Sequence, residues 1–165
     1  MNTMMNAAEI VTIAITRKNY DPAIFKESVI EAAELEYIKP ILGADLYDEI
    51  RTQYRAETLT ALNRTLVNDY LKKVLAYYTV YMCLPTMMVD ISSVGMQLNS
   101  TEFSSPISSG LRAEVGQSIQ SIAKAFTDKA VQYLEDNSTD YPLYNSGDNV
   151  ENDTSIIGGI ILDEE

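Results

Sequence analysis

The chain is 165 residues long and 46% hydrophobic, with 24 acidic and 12 basic side chains, no histidine and one cysteine. That length favours one domain with a sizeable core. A formal net charge of -12 disfavours direct binding to a nucleic-acid backbone, which needs a basic surface, and without histidine there is no imidazole base, no Ser-His or Cys-His pair and no His-ligated metal.

The charge is uneven. Residues 138–165 hold Asp140, Asp148, Glu151, Asp153, Asp163, Glu164 and Glu165 with no Lys or Arg, so more than half of the net charge lies in this stretch. Cys83 has no second cysteine to pair with, which suits a reducing compartment. Beside an apolar helix face it reads as a small buried hydrophobe rather than a nucleophile. No basic start followed by a compact apolar run marks a secretory signal. The longest uncharged apolar stretch, Val74 to Val89, is about 16 residues, short of the ~18–20 that span a bilayer, and reads as a buried core helix.

In chain order, residues 1–8 read as weakly ordered. Ile10, Val11, Thr12, Ile13, Ile15 and Thr16 are β-branched, and Ile13 and Ile15 alternate with Thr12, Ala14 and Thr16. The expectation is a short strand or an extended arm within residues 1–20. Such an apolar arm needs a partner, either the C-terminal tail or another subunit, with Ile10, Ile13 and Ile15 as docking residues. Asp21-Pro22 reads as a helix start, with Asp21 capping and Pro22 in the first helical position. That helix carries Ile30, Ala33, Leu35, Tyr37 and Ile38 and is ended or kinked by Pro40. Ile41-Leu42-Gly43 makes a tight apolar corner in which Gly43 is free to take positive φ. Ala44 to Arg55 reads as a shorter helix with Leu46, Tyr47, Ile50 and Tyr54 as its stripe and Asp45, Asp48 and Glu49 near its positive end.

Leu59 to Val89 is the long element, with Thr58 as its expected cap. Leu59, Leu62, Leu66, Tyr70, Val74, Tyr77, Tyr81, Leu84 and Met88 recur at steps of three and four, one face of a helix about 45 Å long. Pro85 should kink it or end it early. Residues 92–110 are rich in Ser, Gly, Asn and Thr. Val94, Met96 and Leu98 alternate with polar residues, Asn99-Ser100 offers a turn and Glu102-Phe103 a return strand, which reads as a small hairpin or loop. From Ile107 or Leu111 to Leu134, the residues Leu111, Val115, Ile119, Ile122, Phe126, Ala130 and Tyr133 form the apolar face of a second long helix, expected antiparallel to the first.

The fold expected is mostly α: an antiparallel bundle of about four helices, two of them long, with a hairpin or loop between the long pair and extended arms at both ends. Residues 1–144 form the helical domain and 145–165 an acidic C-terminal arm. In that arm Ile156, Ile157, Ile160, Ile161 and Leu162 flank Gly158-Gly159, an apolar patch that cannot form a core alone and reads as a docking segment.

Catalytic signals do not rise above background, and no enzyme activity, cofactor or metal is expected. Glu31 and Glu34, like Asp45 and Asp48, are spaced three apart on a helix, where a carboxylate pair could hold Mg²⁺ or Ca²⁺ but is far more often a solvated face. Gly158-Gly159 lacks the Gly-x-x-x-x-Gly-Lys-Ser/Thr frame of a phosphate loop. Tyr70, Tyr77 and Tyr81 lie on the apolar helix face, where packing is the better reading than stacking on bases.

The run Ala33-Glu34-Leu35-Glu36-Tyr37-Ile38-Lys39-Pro40-Ile41-Leu42-Gly43-Ala44-Asp45-Leu46-Tyr47-Asp48-Glu49-Ile50 resembles the head-tail connector proteins of tailed bacteriophages. So does the layout around it, which closes on Asp140-Tyr141-Pro142-Leu143-Tyr144. The resemblance covers residues 10–144 and implies a structural protein of the virion neck, assembled in the bacterial cytoplasm. Such a protein forms a ring with itself, about a homo-dodecamer, beneath the portal protein. It extends the DNA channel and docks the next neck or tail protein, and DNA passes without specific binding. Tyr37, Ile38, Pro40, Leu42, Gly43, Leu46 and Tyr47 carry over as the residues that set the angle between two helices. The competing reading is an acidic helical binding or inhibitor protein, such as a DNA mimic, acting as monomer or dimer; a carboxylate-metal enzyme comes third.

Overall fold

Five helices account for most of the chain in the computed structural model, which describes residues 3–15, 21–92, 95–98 and 109–144. The protein is mostly α. Helix α1 is Ala7–Ala14, and a 3-10 turn follows at Pro22–Ile24. Helix α2 is one rod of three segments: Glu27–Ala33, a π-helical turn Glu34–Ile38, and Lys39–Leu42. Helix α3 is Ala44–Arg55. Helix α4 is likewise continuous through Ala61–Thr65, a π-helical turn Leu66–Leu71 and Lys72–Met88. Helix α5 is Ser109–Asp136. Between the last two, the backbones of β1 (Val89–Ser92) and β2 (Gly95–Leu98) pair antiparallel, with Val89 opposite Leu98. Glu102 and Phe103, expected as a return strand, lie outside the described residues.

The N-terminal stretch departs from expectation. Residues 7–14 form a helix rather than a strand or extended arm, and Thr3, Met4 and Met5 are buried. The β-branched preference is outweighed by a capping box. Asn6 Oδ1 accepts from Glu9 N–H at 2.9 Å, and Glu9 Oε2 accepts from Asn6 N–H at 2.8 Å, so two free donors at the helix start are satisfied. Tertiary contact adds to this: Ile10 is fully buried, and Lys72 of α4 reaches Glu9 at 2.6 Å. Asp21 caps only the 3-10 turn, through Ala23 N–H at 2.9 Å, and α2 begins at Glu27.

Pro40 does not end α2. It has no N–H to give to the carbonyl of Glu36, and its ring crowds that carbonyl. The helix widens just before it, where Lys39 N–H reaches back five residues to Glu34 O, and then continues to Leu42. The stop comes at Gly43, with φ 76° and ψ 163°, a conformation essentially confined to glycine. Helix α3 starts at once and buries Leu46, Tyr47 and Ile50. Thr58 is not the cap of the long helix. Thr60 is, its Oγ1 accepting from Asn63 N–H at 3.1 Å. Pro85 does not end α4 either, which runs on to Met88. So close to the helix end, only the single bond to the Tyr81 carbonyl is lost.

Helices α4 and α5 are antiparallel, as expected. Tyr70 stacks on Tyr133 (4.2 Å between ring centres) and Tyr77 on Phe126 (5.5 Å), while Leu84 lies over Gly116. The face of α5 that meets α4 is the predicted one in part: Ile119, Phe126, Ala130 and Tyr133 pack inward as expected, but the face is rotated from the rest. Gly116, Ala123, Thr127, Ala130 and Leu134 are buried, whereas Leu111, Val115 and Ile122 are exposed. Aromatic rings meet along one part of this contact, while near the start of α5 Tyr81 and Leu84 of α4 supply the bulk and Gly116 fits beneath them. A Cβ at Gly116 would lie 3.7 Å from Leu84 Cδ1. Helices α1 and α2 pack along α4, and α3 meets its first turns, where Glu49 and Gln53 accept from the Asn63 side chain. The core joins Met4, Ile10, Ile38, Leu42, Leu71 and Leu75 among others, each large side chain contributing roughly 1.5–3 kcal/mol on burial.

Candidate functional site

The corner residues lie in and against the core. Ile38 and Leu42 are fully buried, Leu46 and Tyr47 nearly so, and Tyr37, Pro40 and Gly43 are half-buried. Tyr37 stacks on Tyr78 of α4, with ring centres 3.8 Å apart and planes 4° apart. Tyr47 carries Lys39 at 5.9 Å and Arg51 at 5.7 Å from its ring centre, within cation–π range. The corner thus clamps α2 and α3 against α4, a positioning role.

At its centre is a group whose role the sequence reading missed. Glu34 is fully buried in the π-helical turn of α2. Its Oε1 accepts from Met4 N–H, and its Oε2 takes a long bond from the Tyr47 hydroxyl at 3.4 Å. Burial pushes its carboxyl up to about 7, against the opposing pull of Met4 N–H, Arg51 and Tyr47. Burial and the Glu34 carboxylate together push the Tyr47 hydroxyl up to about 12. Glu31, the other half of the pair considered for a metal, instead bonds Arg51 and is half-buried. The two glutamates therefore serve different ends: Glu34 pins the N-terminal segment to the corner, and Glu31 holds Arg51 over the Tyr47 ring. The signal was present in the sequence, since Glu34 is four residues from both Ile30 and Ile38 on the core face.

Of the predicted docking residues, Ile10 lies in this chain's own core, and Ile13 and Ile15 are partly buried against it. The helix that replaced the expected arm turned Ile10 inward. Ile156, Ile157, Ile160, Ile161 and Leu162 lie outside the described residues. Cys83 is buried and its thiol pushed up by burial, away from the thiolate. Tyr141 is buried, and its hydroxyl donates to the Leu62 carbonyl at 3.2 Å, tying the end of the domain to the start of α4. Among the described residues, no group of three or more His, Cys, Asp or Glu side chains could hold a metal ion, and no helix is long and apolar enough to cross a membrane.

Among the described residues, the exposed large apolar side chains are Leu35, Leu111, Val115, Ile122 and Leu143. Three of them share one stripe of α5. Beside it a hollow of about 390 Å³ is lined by Tyr81, Met82, Leu84, Pro85, Arg112 and Ala113. The arrangement offers surfaces for contact rather than a constellation for chemistry. No curated protein and no solved structure matches the chain. Residues 38–154 match a protein family over most of the chain, from the second half of the corner onward, and the chain therefore belongs to DUF6712, a family of unknown function.

Proposed function

We propose that the protein is a structural subunit of a phage neck. In this reading it forms a ring with copies of itself beneath the portal, extends the DNA channel and docks the next neck or tail protein. The observation that carries the reading is the corner run from Ala33 to Ile50, with its resemblance to head-tail connectors. In support of it, Gly43 sets the angle between two helices here and buried Leu42, Leu46 and Tyr47 lock that angle. The acidic balance supports it too, since a negative channel wall lets DNA slide without sticking. In a ring, each subunit presents two different faces to its neighbours, and the exposed stripe of α5 gives one apolar candidate.

Light scattering after size exclusion, over a concentration series and with negative-stain images of any large species, tests the reading. A closed ring, alone or with a portal ring supplied as template, is the expected result. A monomer at every concentration under both conditions would refute it and favour a monomeric acidic binder.

A further inference from the structure

The fold closes over Glu34 without solvating its charge. A carboxylate can accept about four hydrogen bonds. Here Oε1 has Met4 N–H, and Oε2 has the Tyr47 hydroxyl at 3.4 Å. The guanidinium that acts on this carboxyl is committed elsewhere. Arg51 bonds Glu31 through Nη2, and its Nε is buried with no hydrogen-bond partner among the described residues. Further out, Tyr54 of α3 feels Glu34 together with Lys72 of α4 and Glu9 of α1, and Lys72 pairs with Glu9 at 2.6 Å. Among the described residues, no cation hydrogen-bonds Glu34. Protonated, the same carboxyl keeps Met4 N–H on one oxygen and can donate to the Tyr47 oxygen from the other. The neutral form is satisfied where the charged form is not.

The elements that close over this group are held unequally. Helix α2 carries Glu34 and buries Ile30, Ala33, Ile38, Ile41 and Leu42. Helix α3 is joined to it through Gly43 and buries Leu46, Tyr47 and Ile50. The N-terminal segment, residues 3–14, buries Thr3, Met4, Met5 and Ile10. Among the described residues, its hydrogen bonds to other elements run from Met4 N–H to Glu34 and from Lys72 to Glu9. One of its two polar ties is therefore to the group whose charge is unsatisfied. Separating α2 from α3 would break the corner, whereas lifting residues 3–14 leaves it whole. Local opening is drawn from the unit with the fewest buried contacts.

We propose that residues 3–14 are a latch governed by the ionisation of Glu34: closed over the neutral carboxyl, and lifted as it ionises so that water reaches the charge, with α2 to α5 still packed. The direction follows from burial, which outweighs Met4 N–H, Arg51 and Tyr47 and raises this carboxyl from 4.5 to about 7. Between those values each pH unit favours the lifted form by up to about tenfold, and the effect levels off above 7. Lifting uncovers Met4, Met5 and Ile10 together with the flank of α4 that α1 covers. The latch needs neither a ring nor a partner.

Hydrogen exchange read by mass spectrometry tests it, on full-length wild type and Glu34→Gln from pH 5 to pH 8. Each rate is divided by that of the unfolded chain at the same pH. In wild type, exchange within residues 3–14 should rise about 70-fold over this range. In Glu34→Gln it should stay flat. Every other titrating group is shared by the two proteins, so the comparison isolates Glu34. A second reading, in wild type alone, separates lifting from global unfolding. At pH 8, urea below the unfolding transition should leave exchange within residues 3–14 unchanged while it speeds exchange within residues 123–134 of α5, because lifting exposes far less surface than unfolding. Equal pH profiles in the two proteins, or the same urea dependence in the two segments, would overturn the proposal.

Discussion

Glu34→Gln isolates the ionisation of one buried carboxyl. Glutamine keeps the shape and an acceptor for Met4 N–H, so it stands in for protonated Glu34. The carboxyl is raised from 4.5 to about 7, with burial as the largest cause. Below pH 4.5 it is protonated in both folded and unfolded chains, and its contribution to stability is fully present. As pH rises, the unfolded chain loses this proton first, so stability falls until the folded carboxyl also ionises near 7. A shift of about 2.5 units at 1.36 kcal/mol each corresponds to at most about 3 kcal/mol lost by pH 8. Wild type and Glu34→Gln should therefore unfold alike in urea at pH 4.5. The variant should gain steadily, reaching up to about 3 kcal/mol at pH 8, or about 1.5 M in midpoint for a slope near 2 kcal/mol per M. Arg51, Glu31 and Tyr47 are the titratable groups facing the site. If attraction to Arg51 outweighed desolvation, wild type would be the more stable protein at pH 8. That result, or a difference flat with pH, would refute the reasoning.

Three further substitutions probe the frame. Gly43→Ala meets no atom within 4 Å, so its cost is backbone strain alone, about 1–3 kcal/mol. Thermal denaturation should show a midpoint lower by about 3–10 °C, and an unchanged midpoint would contradict the assigned φ. Thr127 is buried and its hydroxyl has no hydrogen-bond partner among the described residues, so Thr127→Val should stabilise by up to about 1 kcal/mol in urea; destabilisation would reveal a partner for that hydroxyl. Tyr141→Phe removes the bond to the Leu62 carbonyl and should cost about 1 kcal/mol, and faster hydrogen exchange at the first turn of α4 would locate the loss there.

The helices were legible wherever periodicity and punctuation agreed. Ala44 to Arg55 was read to the residue, because Gly43 opens it and Leu46, Tyr47 and Ile50 recur on one face. The long fourth helix was legible for the same reason. Its three successive four-residue steps from Leu62 to Val74 also encode something the reading passed over. Steps of four outrun 3.6 residues per turn, and the π-helical turn at Leu66–Leu71 is where the helix widens to keep them on one face. Helix α1 is hidden by its β-branched composition, which points to a strand, although the Asn6–Glu9 capping box is a local helix signal in plain view. The corner was recognised as a unit, but its buried acid was not.

Composition and spacing by themselves determined a mostly helical protein with two long antiparallel helices and a glycine-ended corner, since these follow from 3.6-residue periodicity and backbone sterics. Only the tertiary structure decided where the buried face of α5 is centred. Periodicity counts large apolar side chains, whereas the seam also takes small ones, Gly116 beneath Tyr81 and Leu84 and Ala123 in the core, so Leu111, Val115 and Ile122 stay out. Tertiary structure also decided that Glu34 is a lock and not a solvated charge. The desolvation that raises its carboxyl exists only once Met4, Tyr47 and the rest of the fold close over it.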